Sequence, residues 1–194
     1  MSSLFSHDIK ILLSKLANQP IELGKILEAT VERGFSLIIC LLALPFLLPM
    51  PPGLSGVMGI GCSILGIQMA LGRKFPWLPK QVAKLKFSRS LIQRLLKFIQ
   101  CLTIWLEKIV RSRWQRIANN SSVWKINGLC IAWLSVLLML PIPLTNPLPA
   151  IAILILAIAN IESDGLLMCV GYFLTLLNTI FFGFVGYALW QTFM

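Results

Sequence analysis

Side chains able to do chemistry are few in this 194-residue chain, and they are scattered. A single histidine, His7, stands near the start, so neither a histidine-based metal site nor a Ser-His-Asp triad can be assembled within one chain. Glu162 and Asp164 are a close pair of carboxylates, but acid-base work also needs a recognisable partner motif, and none accompanies them. The five cysteines, Cys40, Cys62, Cys101, Cys130 and Cys169, show no CxxC spacing and mostly lie in apolar runs. They read as small buried apolar residues rather than disulfides or metal ligands. No GxxxxGK[ST] phosphate loop and no GxGxxG fingerprint is present. The residues therefore predict a protein that is not an enzyme, with no metal and no cofactor. What remains is neutral polarity inside apolar sequence, chiefly Gln68 and Asn160.

The elements that carry those amides belong in a membrane. With 57% apolar residues and only 12% charged ones, the chain departs from the composition of soluble domains. Three segments, 34–72, 126–161 and 165–194, lack Asp, Glu, Lys and Arg entirely. Each is longer than the roughly 18 to 20 apolar residues that a crossing helix needs. No secretory signal is apparent, because the first apolar run begins only after Glu32-Arg33-Gly34 and no small-residue cleavage site closes it.

The first of these segments is broken by Pro45, Pro49, Pro51, Pro52 and Gly53. Proline lacks the amide donor and clashes with the turn before it, so no continuous helix runs through PMPPG. The second is broken at PIPLTNPLP. A shift of 92 residues carries Pro49 onto Pro141 and Gln68 onto Asn160, so the chain reads as two copies of one broken-helix unit. Each arm is short against a roughly 30 Å hydrocarbon core. The arms are either re-entrant hairpins or short spans with a turn at the far surface. In both cases their freed backbone groups need protein or water. Ser55, Gly59 and Ser63, and Cys62, Gly66 and Ala70, recur every four residues and make smooth ridges for a neighbouring helix. Gly183 and Gly186 read the same way.

Charge sets the expected orientation. Segment 73–125 holds thirteen Lys or Arg against one acid, Glu107. By the positive-inside bias this connector is cytoplasmic. Its helical period places Leu91, Leu95, Phe98, Leu102, Trp105 and Ile109 on one face, and Arg94, Lys97, Lys108 and Arg111 on the other. That is an amphipathic basic helix against an anionic leaflet. Nucleic acid, the other partner for such a stretch, is set aside because apolar segments flank it on both sides. Residues 1–33 form a charge-balanced helical prelude interrupted at Pro20. If both units turn back, Glu162 and Asp164 return to the connector's side, where Arg73 or Arg33 could pair with them.

Several stretches in order carry a resemblance: LGKILEATVERGFSL (23–37), ALPFLLPMPPGLSGVMG (43–59), QMALGRKFPWLP (68–79), LEKIVRSR (106–113) and LPIPLTNPLPAIAILILAIANIESDGLL (140–167). Together they resemble the bacterial exopolysaccharide synthesis ExoD family over nearly the whole chain. Departures are Thr145-Asn146-Pro147, where relatives tend to carry Gly-Asn, and Glu162-Ser163-Asp164-Gly165, where they often place a basic residue between the acids. The resemblance implies an integral inner-membrane protein linked to exopolysaccharide production, without a known reaction or known catalytic residues. The positions matching family motifs are Arg33, Gly34, Pro49, Pro51, Gly53, Gln68, Arg73, Pro143, Asn160, Asp164 and Gly165. Each also has a structural explanation: prolines and glycines shape the breaks, the arginines anchor at the interface, and the amides satisfy freed backbone groups.

The expected fold is all-α, a multi-pass membrane protein. It comprises the prelude (1–33), a first broken hairpin (34–72), the basic connector (73–125), a second broken hairpin (126–161), and an acidic turn with a final crossing helix (162–194). The expected role is an accessory or regulatory component of exopolysaccharide synthesis in the bacterial inner membrane. Its partners would be membrane lipids, anionic ones at the basic helix, and polysaccharide-assembly proteins, with self-association left open. The alternative is a small transporter or lipid-carrier handling protein with a polar site between the two broken units, Gln68 and Asn160 being the residues in its favour. Against that alternative, the spans carry no charge of the kind ion-coupled carriers use.

Overall fold

A computed structural model of the chain describes residues 34–47, 54–73, 76–77, 120–140 and 145–193. Every element among the described residues is helical: α1 (Gly34–Ala43) running into a 3-10 turn (Leu44–Leu47), α2 (Leu54–Ala70), α3 (Ser121–Met139), α4 (Pro147–Glu162) and α5 (Gly165–Phe193). The prelude, Arg33, Pro49, Pro51, Gly53, Pro143 and nearly all of the basic connector lie outside the described residues.

Local chemistry explains where each helix stops. At Pro45 the missing amide donor ends regular α1, and the chain tightens into the 3-10 turn. Past α2, Gly72 takes a left-handed φ of 73°. Its amide then bonds to Met69 O and that of Arg73 to Gln68 O, both at 3.0 Å, the paired bonds of a Schellman cap. Helix α3 starts five residues before the uncharged run because Asn120 Oδ1 accepts from Ser122 N at 3.0 Å. It ends at Leu140, whose ψ of 130° is the extended conformation that the following Pro141 demands. Pro147 opens α4, where its lack of a donor costs nothing.

Helix α4 ends on Ser163, a residue with a side chain held at φ 52°. Asp164 N returns to Ala159 O at 3.0 Å, and the Asp164 carboxylate then caps α5, accepting from Leu166 N at 3.0 Å and Leu167 N at 3.3 Å. A left-handed conformation costs a residue with a Cβ about 1 kcal/mol relative to glycine. Ser163→Gly is therefore expected to raise the thermal unfolding midpoint of the purified protein, an effect that calorimetry or a thermal melt would read.

Contacts along the helices give their directions. Gly59 faces Leu138 and Met139, Gly66 faces Ala132 and Gly128, and Gly72 faces Lys125, so α2 and α3 run antiparallel. Asn127 meets both Asn160 and Tyr172, and Trp133 Nε1 donates to Thr179 at 2.9 Å, which makes α3 parallel to α5 and antiparallel to α4. Phe35 packs edge-on against Trp124 with ring centres 6.2 Å apart, joining the starts of α1 and α3. One end of the bundle therefore gathers the starts of α1, α3 and α5 with the ends of α2 and α4. The ends of α1 and α3 and the starts of α2 and α4 lie at the other.

The four helices α1 to α4 pack as a ring, with α2 against α3 the most extensive contact, and α5 lies on α4 and α3. Phe35 and the run from Leu37 to Leu44 are almost wholly buried, as is the inner side of α4, so α1 is an apolar helix enclosed on all sides. The long α5 is different. Phe173, Leu176, Ile180, Phe184, Tyr187 and Trp190 are all exposed along it. Gly183 and Gly186 have open space where a Cβ would sit, so the packing role expected of them is not made among the described residues. Both α3 and the Gly165–Thr192 stretch of α5 are long and apolar enough to cross a membrane, whereas α1, α2 and α4 are shorter.

Candidate functional site

Three helices bring three uncharged polar side chains together near the end of the bundle that holds the start of α3. Asn127, on α3, is completely buried. Its amide nitrogen donates to Asn160 Oδ1 on α4 at 2.6 Å, and its own carbonyl accepts from the Tyr172 hydroxyl on α5. Asn160 and Tyr172 are each half-buried. The chain of bonds ends on Asn160 Nδ2, which is sealed from solvent and has no acceptor. An unsatisfied buried donor costs about 1–3 kcal/mol, so its position beside a fully bonded amide is the least ordinary feature of the bundle.

The polar seam continues between α3 and α5. Thr175, Asn178 and Thr179 turn their side chains back to carbonyls one turn earlier at 2.8 Å, and Ser135 on α3 does the same to Ile131 O at 2.7 Å. Asn178 Oδ1 is left buried and unbonded. These back-bonds satisfy polar groups within their own helix, so among the described residues only Asn127, Asn160 and Tyr172 tie three helices through polar atoms.

Gln68 and Asn160 do not share a site. Gln68 Nε2 donates to Trp77 O at 2.6 Å while Trp77 N donates to Gln68 Oε1 at 2.8 Å. The carboxamide thus grips both backbone groups of one residue, which folds the chain back beyond Gly72 and leaves the Trp77 indole 61% exposed. This is the backbone-satisfying role that the sequence allows for the amides. The caps also disagree with the sequence shift. Counted from the left-handed residues Gly72 and Ser163, Gln68 aligns with Ala159, because the carbonyls of those two residues take the equivalent cap bonds. Asn160 is one residue on, about 100° around the helix, and so faces a different neighbour.

The remaining described candidates lie at the end of the bundle that holds the starts of α1, α3 and α5. Arg73 is exposed, whereas Glu162 and Asp164 are buried, Asp164 as the cap of α5. Gly34 and Gly165 are the first residues of α1 and α5. Cys40 and Cys62 are buried as expected, but Cys130 is half-buried and Cys169 exposed, because α5 presents that side outward. Two members of the polar cluster, Asn127 and Tyr172, were not singled out by sequence reading. A signal was present: Asn127 is the one carboxamide in the uncharged run 126–140, and a lone amide in such a run needs a partner on a neighbouring helix.

Residues 5–184 match the family model described as Exopolysaccharide synthesis, ExoD. The chain belongs to the ExoD family. It is similar to Protein ExoD of Rhizobium meliloti, 35% identical over 181 residues that make up 91% of this chain and 75% of the relative. It is also similar to an uncharacterized protein of Synechocystis sp., 29% identical over 158 residues, 81% of this chain and 74% of that protein. No solved structure matches it. The Asn127, Asn160 and Tyr172 cluster and the Gln68 clasp both fall inside the matched ExoD region.

Proposed function

We propose that this ExoD-family chain is a multi-pass protein of the bacterial inner membrane that serves exopolysaccharide synthesis as a non-enzymatic accessory or regulatory component. The observation that carries the membrane reading is the unbroken exposed apolar side of α5, from Phe173 to Trp190, together with exposed Leu129, Trp133 and Val136 on α3. In water such a surface is an aggregation liability, and in lipid it costs nothing. Two-unit organisation is supported by the helix ends. The 3-10 turn after α1 stops at Leu47 and α3 at Met139, positions that the 92-residue shift relates, and both of these helix ends lie at the same end of the bundle.

The accessory role rests on the position of the connector. Arg73 and Lys125, the residues that bound it, are exposed at one end of the bundle. A segment with twelve net positive charges leaving from there would lie along an anionic leaflet and be available to assembly proteins. Replacing residues 81–119 by a neutral flexible linker is expected to abolish exopolysaccharide output while the protein remains in the membrane at normal levels. Full output from that variant would end the accessory reading. The second reading, a small transporter or lipid-carrier handling protein, is favoured by the unsatisfied Asn160 amide between α3, α4 and α5. It requires that Asn160→Ala abolish output with the connector intact.

A further inference from the structure

Both ends of the Gln68 carboxamide are committed to a single residue. Its nitrogen donates to Trp77 O at 2.6 Å and its oxygen accepts from Trp77 N at 2.8 Å, so a buried side chain fixes the Trp77 backbone at two points. A clasp that served packing alone would draw the largest side chain available inside. This one holds an indole that stays mostly exposed. Pro76, just before it, stiffens the approach by locking its own backbone torsion. We propose that Gln68 is a positioning residue that presents Trp77 as an anchor to an anionic lipid surface, fixing the place at which the basic connector leaves the bundle.

The surroundings of Trp77 fit that partner. Ile67 and Leu71, in the last turns of α2 on either side of Gln68 in the chain, are exposed, so apolar surface leads up to the clasp. Past it the exposed charge is cationic. Arg73 follows the Gly72 cap, and Lys125 reaches across from α3 until its Cε stands 3.3 Å from where a Cβ on Gly72 would sit. Glu162 and Asp164 at the same end are buried, so among the described residues no exposed acid opposes an anion here. An indole suits the zone between acyl chains and headgroups, and two cations beside it suit anionic headgroups. The clasp also lowers the cost of insertion, because the Trp77 backbone is ordered before it meets lipid.

This inference rests on the membrane reading above and deepens it, since it assigns the first residues of the connector the task of placing the rest. The test uses the full chain labelled with fluorotryptophan, in bicelles of phosphatidylcholine and phosphatidylglycerol. Each of the six tryptophans gives a fluorine resonance, and the lines missing from Trp77→Phe and Trp133→Phe assign those two. Three relaxation agents are compared: a gadolinium chelate confined to water, a lipid with a nitroxide just below its headgroup, and a lipid with a nitroxide at its chain end. The Trp77 line is expected to broaden most with the shallow nitroxide. Trp133, exposed on α3 eight residues past Lys125 and so about 12 Å deeper, is expected to respond most to the chain-end nitroxide.

Gln68→Met removes both clasp bonds, each worth about fivefold in the balance between held and released Trp77. The shallow-nitroxide broadening of Trp77 is then expected to fall severalfold and the chelate broadening to rise. Gln68→Glu keeps an acceptor for Trp77 N and is expected to lie between. Omitting phosphatidylglycerol is expected to weaken the Trp77 response to the shallow nitroxide, and Arg73→Gln with Lys125→Gln to abolish that dependence.

A wild-type Trp77 line broadened mainly by the aqueous chelate, or by none of the three agents, overturns the proposal. So does a Trp77 response indifferent to phosphatidylglycerol. An unchanged lipid response in Gln68→Met overturns it as well, reducing the clasp to a contact that only stabilises the fold. If Gln68→Met does not fold, Gln68→Glu decides by the same measure. Trp133 separates the two failures: its line broadened by lipid with Trp77 spared refutes this proposal alone, whereas Trp133 untouched by both nitroxides refutes the membrane reading beneath it.

Discussion

Replacing Gly128 by leucine is expected to keep α2 and α3 from closing and to eliminate the folded protein. A Cβ at Gly128 would meet Gly66 O and Met69 C at 2.8 Å as well as the Ala70 amide nitrogen, and one at Gly66 would meet the Ala132 nitrogen at 2.6 Å. Both partners are backbone atoms of a helix, which have no rotamer to retreat into. The helices must then separate along their length, undoing the contact at Gly59 against Met139 as well. Overpacking a flexible core costs about 1–3 kcal/mol, and wedging two backbones apart exceeds that range. A chain whose whole stability is on the order of 5–15 kcal/mol has little room for it. The measurement is the yield of monodisperse protein by size-exclusion chromatography in detergent, with Gly66→Leu expected to behave alike. Gly183→Leu and Gly186→Leu, which face open space, are expected to yield as the wild type does. Equal losses at all four positions would show that helix propensity, not interhelical closeness, is responsible.

The same glycines show what was legible in advance. The four-residue spacings of Ser55, Gly59 and Ser63 and of Cys62, Gly66 and Ala70 are properties of one helix, and at Gly59 and Gly66 they reported correctly that another helix approaches. They reported nothing about which helix. Gly183 and Gly186 also read as packing glycines and meet nothing among the described residues, because spacing on α5 cannot reveal whether a neighbour reaches that far along the bundle. Helix ends were readable for an analogous reason: Pro45, Pro141, Pro147 and Gly72 act on their own backbone. The start of α3 was missed by five residues, because the charge-free run ends at Lys125 while the cap, Asn120, lies beyond it and Lys125 is exposed where its charge is harmless.

The site was less legible than the fold. Asn160 was identified, but its supposed counterpart Gln68 is occupied by the Trp77 backbone, and its actual partner Asn127, which in turn accepts from Tyr172, comes from a helix 33 positions before it in the chain. Repeat alignment treats a helix as a string, so a slip of one residue between break and cap is invisible to it. In three dimensions that slip turns a side chain through about 100° and assigns it to a different interface. A buried pair is set by which faces meet, and this is decided by the ring packing of α1 to α4 rather than by any local signal.

Asn127→Leu is the second substitution with a large expected effect, and its cost comes from what it leaves behind. Leucine shares the branched heavy-atom outline of asparagine, and its bulkier methyl groups add some crowding at this fully buried position. Two polar groups lose their partner at once: Asn160 Oδ1 and the Tyr172 hydroxyl, in a cluster where Asn160 Nδ2 is already unsatisfied. At about 1–3 kcal/mol for a stranded buried group, less for a tyrosine that can turn outward, the expected loss is about 2–4 kcal/mol. It should appear as a clear fall in the thermal midpoint. Asn160→Leu strands only the Asn127 amide hydrogen and also relieves the unsatisfied donor, so it should cost less. The double variant Asn127→Leu with Asn160→Leu removes donor and acceptor together and replaces them with apolar contact between α3 and α4. It is therefore expected to be more stable than Asn127→Leu alone, a coupling of about 1–2 kcal/mol in a double-mutant cycle. Strictly additive losses would mean that the two asparagines act independently and that the polar cluster does not link α3, α4 and α5 as one unit.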